Sequence, residues 1–166
     1  TSFTGAELAT AVNAKGGQWN AYTSFDRTVY YIDGPSASCA TFIHVLFELV
    51  FQPRLPANDF ETERDVIRRE IDMGKDDPDS VASELLFRTF FQHDHRRHPV
   101  IGHRNYFDAL TFEDMTAYHR GRYCPSNCCF VLSGDFDPAE ALAALEELSG
   151  NVPFRPLQPV SYTHLR

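Results

Sequence analysis

The chain has 166 residues, 43% of them hydrophobic, with 14 Phe and 7 Tyr. That suffices for one domain of ordinary size with a real core. The formal net charge is −8 and there is no basic run, which excludes nucleic acid as a natural partner. No apolar stretch reaches the ~20 residues that cross a bilayer, so no membrane segment is expected.

In chain order, residues 4–14 are predicted as a short helix, with Thr4 and Glu7 as a capping box and Leu8, Ala11 and Val12 on its apolar side. Gly16-Gly17 ends it. Residues 18–24 and 28–32 read as two strands around a Phe25-Asp26-Arg27 turn, a β-hairpin broken by Asp33-Gly34-Pro35. Residues 36–51 form a helix that is apolar nearly all round and is therefore expected to be buried. Its His44 reads as a core or edge residue. A helix from Asn58 or Asp59 runs toward Asp76 and stops before Pro78. The next, capped by Asp79 or Ser80, reaches about Gln92, with Leu85, Leu86, Phe90 and Phe91 inward.

After it come His93, His95, His98 and His103. Four histidines invite a metal reading. Two arginines interrupt them, however, and the segment has the composition of a loop, so it reads as solvated or substrate-side. Residues 111–122 form a helix with a Thr111–Asp114 capping box and with Met115 and Tyr118 inward. Residues 128–133 read as a strand, and 138–148 as a helix with Pro138 at its first position. Residues 151–160 are a Pro-rich extended segment, and 161–166 read as a foreign tail. The order predicts an α+β fold, a mainly antiparallel sheet with helices packed on one side, in one domain over 1–150.

The cysteines are Cys39, Cys124, Cys128 and Cys129. They contain no C-x-x-C pair. Cys124-x3-Cys128 with His119 upstream fits no common zinc spacing, so all four read as plain thiols, weakly favouring a reducing compartment.

The helix over 61–72 carries the sharpest signal. Val66, Ile67 and Ile71 recur at helical spacing and should face a core. Glu63 and Glu70 are seven residues apart, so both carboxylates lie on one face, roughly 10 Å apart along the axis at a rise of ~1.5 Å per residue. That is too far to share a proton and suits two layers of one site. The bland reading is a charged helix face, with Arg64, Arg68 and Arg69 available as ion-pair partners at three- and four-residue spacing.

Three segments, in order, then resemble one family. Gly16-Gly17-Gln-Trp-Asn20-Ala21-Tyr-Thr-Ser24 with Thr28-Val-Tyr-Tyr31 resembles the Gly-x-x-Asn-Ala-x-Thr-Ser … Thr-x-Tyr-Tyr hairpin of the insulinase/pitrilysin zinc peptidases. Glu63-Arg-Asp-Val-Ile-Arg-Arg-Glu70 resembles their third-ligand helix. Tyr118-His-x-x-x-Tyr123-x-Pro125-x-Asn127, then Val131-x-x-Gly134-Asp135-Phe, resembles the approach to the strand that closes the half-domain. The likeness covers about residues 4 to 150.

The resemblance implies a zinc metalloendopeptidase. In that family two histidines of an inverted His-x-x-Glu-His motif and one glutamate from a second helix hold Zn2+, and the motif's glutamate activates the attacking water. By position, Glu70 corresponds to the third zinc ligand and Glu63 to the carboxylate that orients the ligands. Asn20 and Ala21 correspond to the edge strand along which an extended peptide substrate lies. The implied partners are the peptide and a second peptidase half-domain, in cis or as a partner subunit.

One departure stands out. The seven histidines form neither His-x-x-Glu-His nor His-Glu-x-x-His. Placed against the family, the motif's first histidine would fall roughly ten residues before Thr1, so the chain is expected to be a fragment cut just after the motif helix. The alternative is an intact protein without the motif, a non-catalytic peptide-binding or scaffold subunit. Retention of both Glu63 and Glu70 favours the first. On either reading this chain supplies one ligand of three and should be inactive alone. Setting the resemblance aside leaves a binding module whose 93–98 loop holds a metal.

Overall fold

In a computed structural model of the chain, residues 4–150, 152–154 and 156 are described. Of the predicted Pro-rich segment only four residues are among these, and the 161–166 tail lies outside them. The architecture is α+β and helix-rich, with a two-stranded antiparallel sheet. The described residues divide into two compact units, residues 4–22, 28–54, 117–150, 152–154 and 156, and residues 23–27 and 55–116.

The first unit begins with α1 (Gly5–Asn13). The Thr4–Glu7 capping box forms as predicted: Thr4 Oγ1 accepts from the Glu7 N–H at 3.3 Å and Glu7 Oε2 from the Thr4 N–H at 2.6 Å. The helix ends where Gly16 takes φ 72°, which lets the Gly17 N–H return to the Val12 carbonyl at 3.0 Å. β1 (Gln18–Thr23) and β2 (Thr28–Asp33) pair as the hairpin. A short 3-10 turn then leads into α2 (Cys39–Phe51), which packs on α1 and β2. Leu8, Val12, Phe42 and Val45 form the core, flanked by Ala11, Ile32 and Leu49. The nearly all-apolar α2 is buried at Phe42, Ile43, Val45 and Phe47, while its His44 is exposed. α7 (Pro138–Ser149) closes this unit against α2, with Asp137 Oδ1 accepting from the Ala139 and Glu140 N–H groups.

The second unit is built on α3 (Ala57–Asp76) and α4 (Pro78–Phe90), which pack on one another. Their caps differ from expectation. Asn58 and Asp59 lie inside the first turn of α3, which Pro56 precedes. Asp77, rather than Asp79 or Ser80, caps α4, accepting from both the N–H and the hydroxyl of Ser80. Pro78 explains this: it has no N–H to leave unpaired and so takes the first helical position, pushing the cap back by one. α5 (Arg104–Ala109), which sequence pattern did not announce, precedes α6 (Phe112–Arg122). The Thr111–Asp114 capping box forms.

Several predicted inward faces are wrong. Val66 is 42% exposed, so on α3 only Ile71 is fully buried. On α4, Leu85, Leu86 and Phe90 are exposed. The helix instead turns Phe87 and Phe91, one turn apart, toward each other and Phe87 onto Phe25, with ring centroids 5.5 and 5.2 Å apart. A helix buries one stripe, and α4 has more apolar residues than one stripe holds. Tyr118 is likewise exposed. Residues 128–133 form no ladder. Cys128 has extended φ −121° and ψ 147°, but a strand needs a hydrogen-bonded neighbour and none is supplied among the described residues.

The tightest packing surrounds Phe42. A Cβ placed on Gly34 would sit 2.5 Å from its ring, and one on Gly17 2.9 Å from it. Gly34→Ala is therefore expected to lower stability by about 1–3 kcal/mol, read as a lower urea midpoint. Gly5→Ala, whose new methyl group meets nothing within 4 Å, should unfold near the wild-type midpoint. Equal midpoints for Gly34→Ala and wild type would refute the notch.

Candidate functional site

The 20 residues of α3 sort their charges by face. Arg64 pairs with Glu61 at 3.2 Å and donates to the Asp108 carbonyl at 2.7 Å. Arg68 pairs with Asp65 at 3.0 Å and with the Asp108 carboxylate at 2.8 Å. Arg104 donates to Asp108 and to Asp72, each at 2.9 Å, and Lys75 also reaches Asp72 at 3.0 Å. Two arginines thus converge on one carboxylate and fasten α5 to α3. The hydrogen bond from Arg68, more than any other influence, holds the Asp108 carboxyl below the usual carboxylate range.

Glu63 and Glu70 take no part in this network. Both are exposed, and no described residue makes an ion pair or hydrogen bond to either. Glu70 lines an open groove of about 820 Å³ in the second unit, together with Ile71, Asp77, Glu84, His98 and His103. Glu63 lies two turns back along the same face.

Catalytic zinc takes three protein ligands and keeps one position for water. Glu70 fits as one such ligand, an unpaired carboxylate free to give up both oxygens. Among the described residues no three of His, Cys, Asp or Glu come together as a metal-binding group. The Cys124–Cys128–His119 arrangement does not form. Cys124 is buried with Sγ 3.3 Å from the Ser126 hydroxyl, and the His119 ring engages the Val50 carbonyl at 2.9 Å.

Asn20 and Ala21 lie in β1, in the first unit. All six β1 residues are exposed, so the expected alternation of its faces is not reflected in burial. β1 has β2 as its one ladder partner among the described residues, which leaves its other edge open. The Asn20 carboxamide oxygen accepts from the Ala21 N–H at 2.8 Å, folding that side chain close to the backbone.

Two groupings escaped the sequence reading. Tyr30 and Tyr123 share a hydroxyl–hydroxyl hydrogen bond at 3.1 Å, and the Tyr123 ring stacks on His119 with centroids 4.4 Å apart. Burial, then the bond from Tyr123, push the Tyr30 phenol well above its ordinary value. The partners are 93 residues apart and no local pattern signals them. The second grouping is the pairing of His98 with His103, nitrogen to nitrogen at 3.0 Å.

Comparison with known proteins gives consistent findings. A model of the insulinase family (peptidase family M16) matches residues 1–104, and one for the peptidase M16 inactive domain matches residues 109–165. An uncharacterized zinc protease of Mycobacterium leprae is 29% identical over 148 residues, 89% of this chain and 33% of that protein. One from Mycobacterium tuberculosis is 28% identical over 155 residues, 93% of this chain and 35% of its own length. The crystal structure of an M16-like peptidase from Alicyclobacillus acidocaldarius superposes with a TM-score of 0.83 at 29% identity, over 94% of this chain and 37% of that one. The chain therefore spans about a third of the length of the curated relatives it matches.

The Asp108 junction makes a pH-dependent prediction. Its folded pKa is depressed below the ordinary ~3.9, so its contribution to stability is present above about pH 4 and is lost as pH falls through the folded value. Asp108→Asn should melt below wild type at pH 7, and the two melting temperatures should converge as the pH falls through the folded value. A gap of the same size on both sides of that value would show that shape rather than charge holds the junction.

Proposed function

The chain belongs to the insulinase family, peptidase family M16, and from that premise we propose that it is part of a zinc metalloendopeptidase in which Glu70 is the third zinc ligand. The observation that carries this reading is the charge sorting on α3. Among the described residues the ion pairs of that helix go to Glu61, Asp65, Asp72 or Asp108, and Glu70 stands exposed and unpaired beside a groove. Glu63, unpaired on the same face, is the carboxylate that orients the ligands.

Zinc, when bound, supplies Lewis acidity and a water acidic enough to act as nucleophile near neutral pH. This chain's residues do the rest of what can be assigned to it. Glu70 would give a carboxylate oxygen, and Glu63 would orient the ligands. β1 offers an open edge at Asn20 and Ala21, where an extended peptide can pair through its backbone whatever its sequence. The histidine ligands and general base come from the family's motif, and the second half-domain from elsewhere in the protein or from a partner subunit.

A second reading has its own observation, the match of residues 109–165 to the family's inactive-domain model. On that reading the intact protein holds peptide along β1 as a non-catalytic subunit beside an active one.

The test uses the intact protein. Wild type should carry zinc and cleave extended peptides, and Glu70→Gln should lose both. Glu63→Gln should bind zinc about 10–100-fold more weakly. Asn20→Ala should keep its zinc while KM rises more than kcat falls. Full zinc and activity in Glu70→Gln would sink the ligand assignment. A zinc-free wild type that still binds peptide would establish the second reading in its place.

A further inference from the structure

The two imidazoles in the 98–103 turn are placed as a pair. His98 Nδ1 and His103 Nε2 face each other at 3.0 Å, with ring planes at 90° and centroids 5.3 Å apart. The backbone on both sides is fixed. The Gly102 N–H returns to the Pro99 carbonyl at 2.9 Å, with Gly102 at φ 83°. The His98 N–H is held by the His95 carbonyl at 3.0 Å, and the His103 carbonyl by the Phe107 N–H at 3.0 Å. The His103 ring also meets Tyr106 edge-on, with centroids 6.1 Å apart. Left to themselves, neutral imidazoles make this contact with one facing nitrogen protonated and the other accepting.

We propose that His98 and His103 form a two-imidazole site for a first-row divalent cation of the Cu2+, Ni2+ and Zn2+ group, with water completing its coordination. Imidazole nitrogen is the ligand these ions favour. At bond lengths of about 2.0–2.1 Å, nitrogens 3.0 Å apart subtend an angle near 90° at a shared metal. Opening the pair to about 3.4 Å would make it tetrahedral. The change needed is a turn of each ring by roughly 35–45°, which swings its facing lone pair off the line between the nitrogens onto the shared metal. The hydrogen between the rings moves to the far nitrogen of the ring that carries it, so both facing lone pairs become free and neither net charge nor oxidation state changes.

The surroundings permit this. His98 is exposed and His103 half-buried, so an ion reaches them from solvent. Of the acids beside the turn, Asp94 is held by Arg96 at 2.9 Å, with the His95 ring 3.5 Å away. With no third protein donor in the group among the described residues, affinity should follow the order of the ions alone, Cu2+ tightest.

The experiment titrates Cu2+ into the intact protein carrying Glu70→Gln and with both motif histidines replaced by Asn, so that metal held at the family's zinc site does not enter the count. One equivalent should bind, and the EPR spectrum should show coupling to two imidazole nitrogens. His98→Asn and His103→Gln should each weaken binding at least about 10-fold, and His95→Asn should not. The proposal falls if no equivalent binds, if His98→Asn binds as tightly as its parent, or if His95→Asn weakens binding as much. The EPR spectrum needs no histidine variant, and a spectrum with fewer than two nitrogens also overturns it. Zinc retained by Glu70→Gln would refute the reading of Glu70 and leave this count intact.

Discussion

The Phe42 ring, wedged between two glycines, holds the hairpin. Gly17 lies just before β1 and Gly34 just after β2, and a side chain at either would collide with that ring. The base of the hairpin is thus clamped on α2 by backbone, with Val12 and Val45 packed behind. The consequence reaches the candidate site. Because β1 is anchored through its flanking glycine, none of its six side chains is needed in the core, and all six are exposed. On the proposed reading, a strand fixed at its base has its geometry set before an incoming chain pairs with it.

In the second unit the corresponding constraint is electrostatic. Asp108, at the end of α5, accepts from Arg68 and Arg104 together, and its carbonyl accepts from Arg64. Exposed ion pairs are individually weak, but several sharing one carboxylate restrict the orientation of both helices. The network is also directional. At 3.6 residues per turn, Arg68 and Asp72 lie about 160° round α3 from Glu70. Glu63 and Glu70, turned away from that flank, make no ion pair among the described residues.

What could be read from the amino-acid order was what depends on near neighbours. The Thr4–Glu7 and Thr111–Asp114 boxes and the Asp137-Pro138 start are three-residue arrangements, and all form. The family emerged from three short segments in order. Burial was read less well, because an apolar residue on a helix reveals its own periodicity but not where its partner lies. Val66, Leu85, Phe90 and Tyr118 all look inward by composition and are exposed. The 128–133 strand failed for the same reason, since a ladder belongs to two segments. The His98–His103 pair was invisible because a spacing of five matches neither helix nor strand, and only the turn at Gly102 brings the rings together.

The charged-face reading of α3 can itself be weighed position by position. Partners on a helix surface stand three or four residues away. For Glu63 those places hold Asp59, Phe60, Val66 and Ile67, and for Glu70 they hold Val66, Ile67, Met73 and Gly74. None is basic, although α3 contains three arginines and a lysine. The basic residues stand instead where they serve Glu61, Asp65 and Asp72: Arg64 three after Glu61, Arg68 three after Asp65, Lys75 three after Asp72. Four carboxylates of the helix make no ion pair among the described residues: Asp59 and Asp76 lie in its first and last turns, whereas Glu63 and Glu70 lie between them, on one face and two turns apart. Carboxylates kept clear of cations retain their lone pairs for another acceptor of electrons, which is the condition a metal ligand must meet.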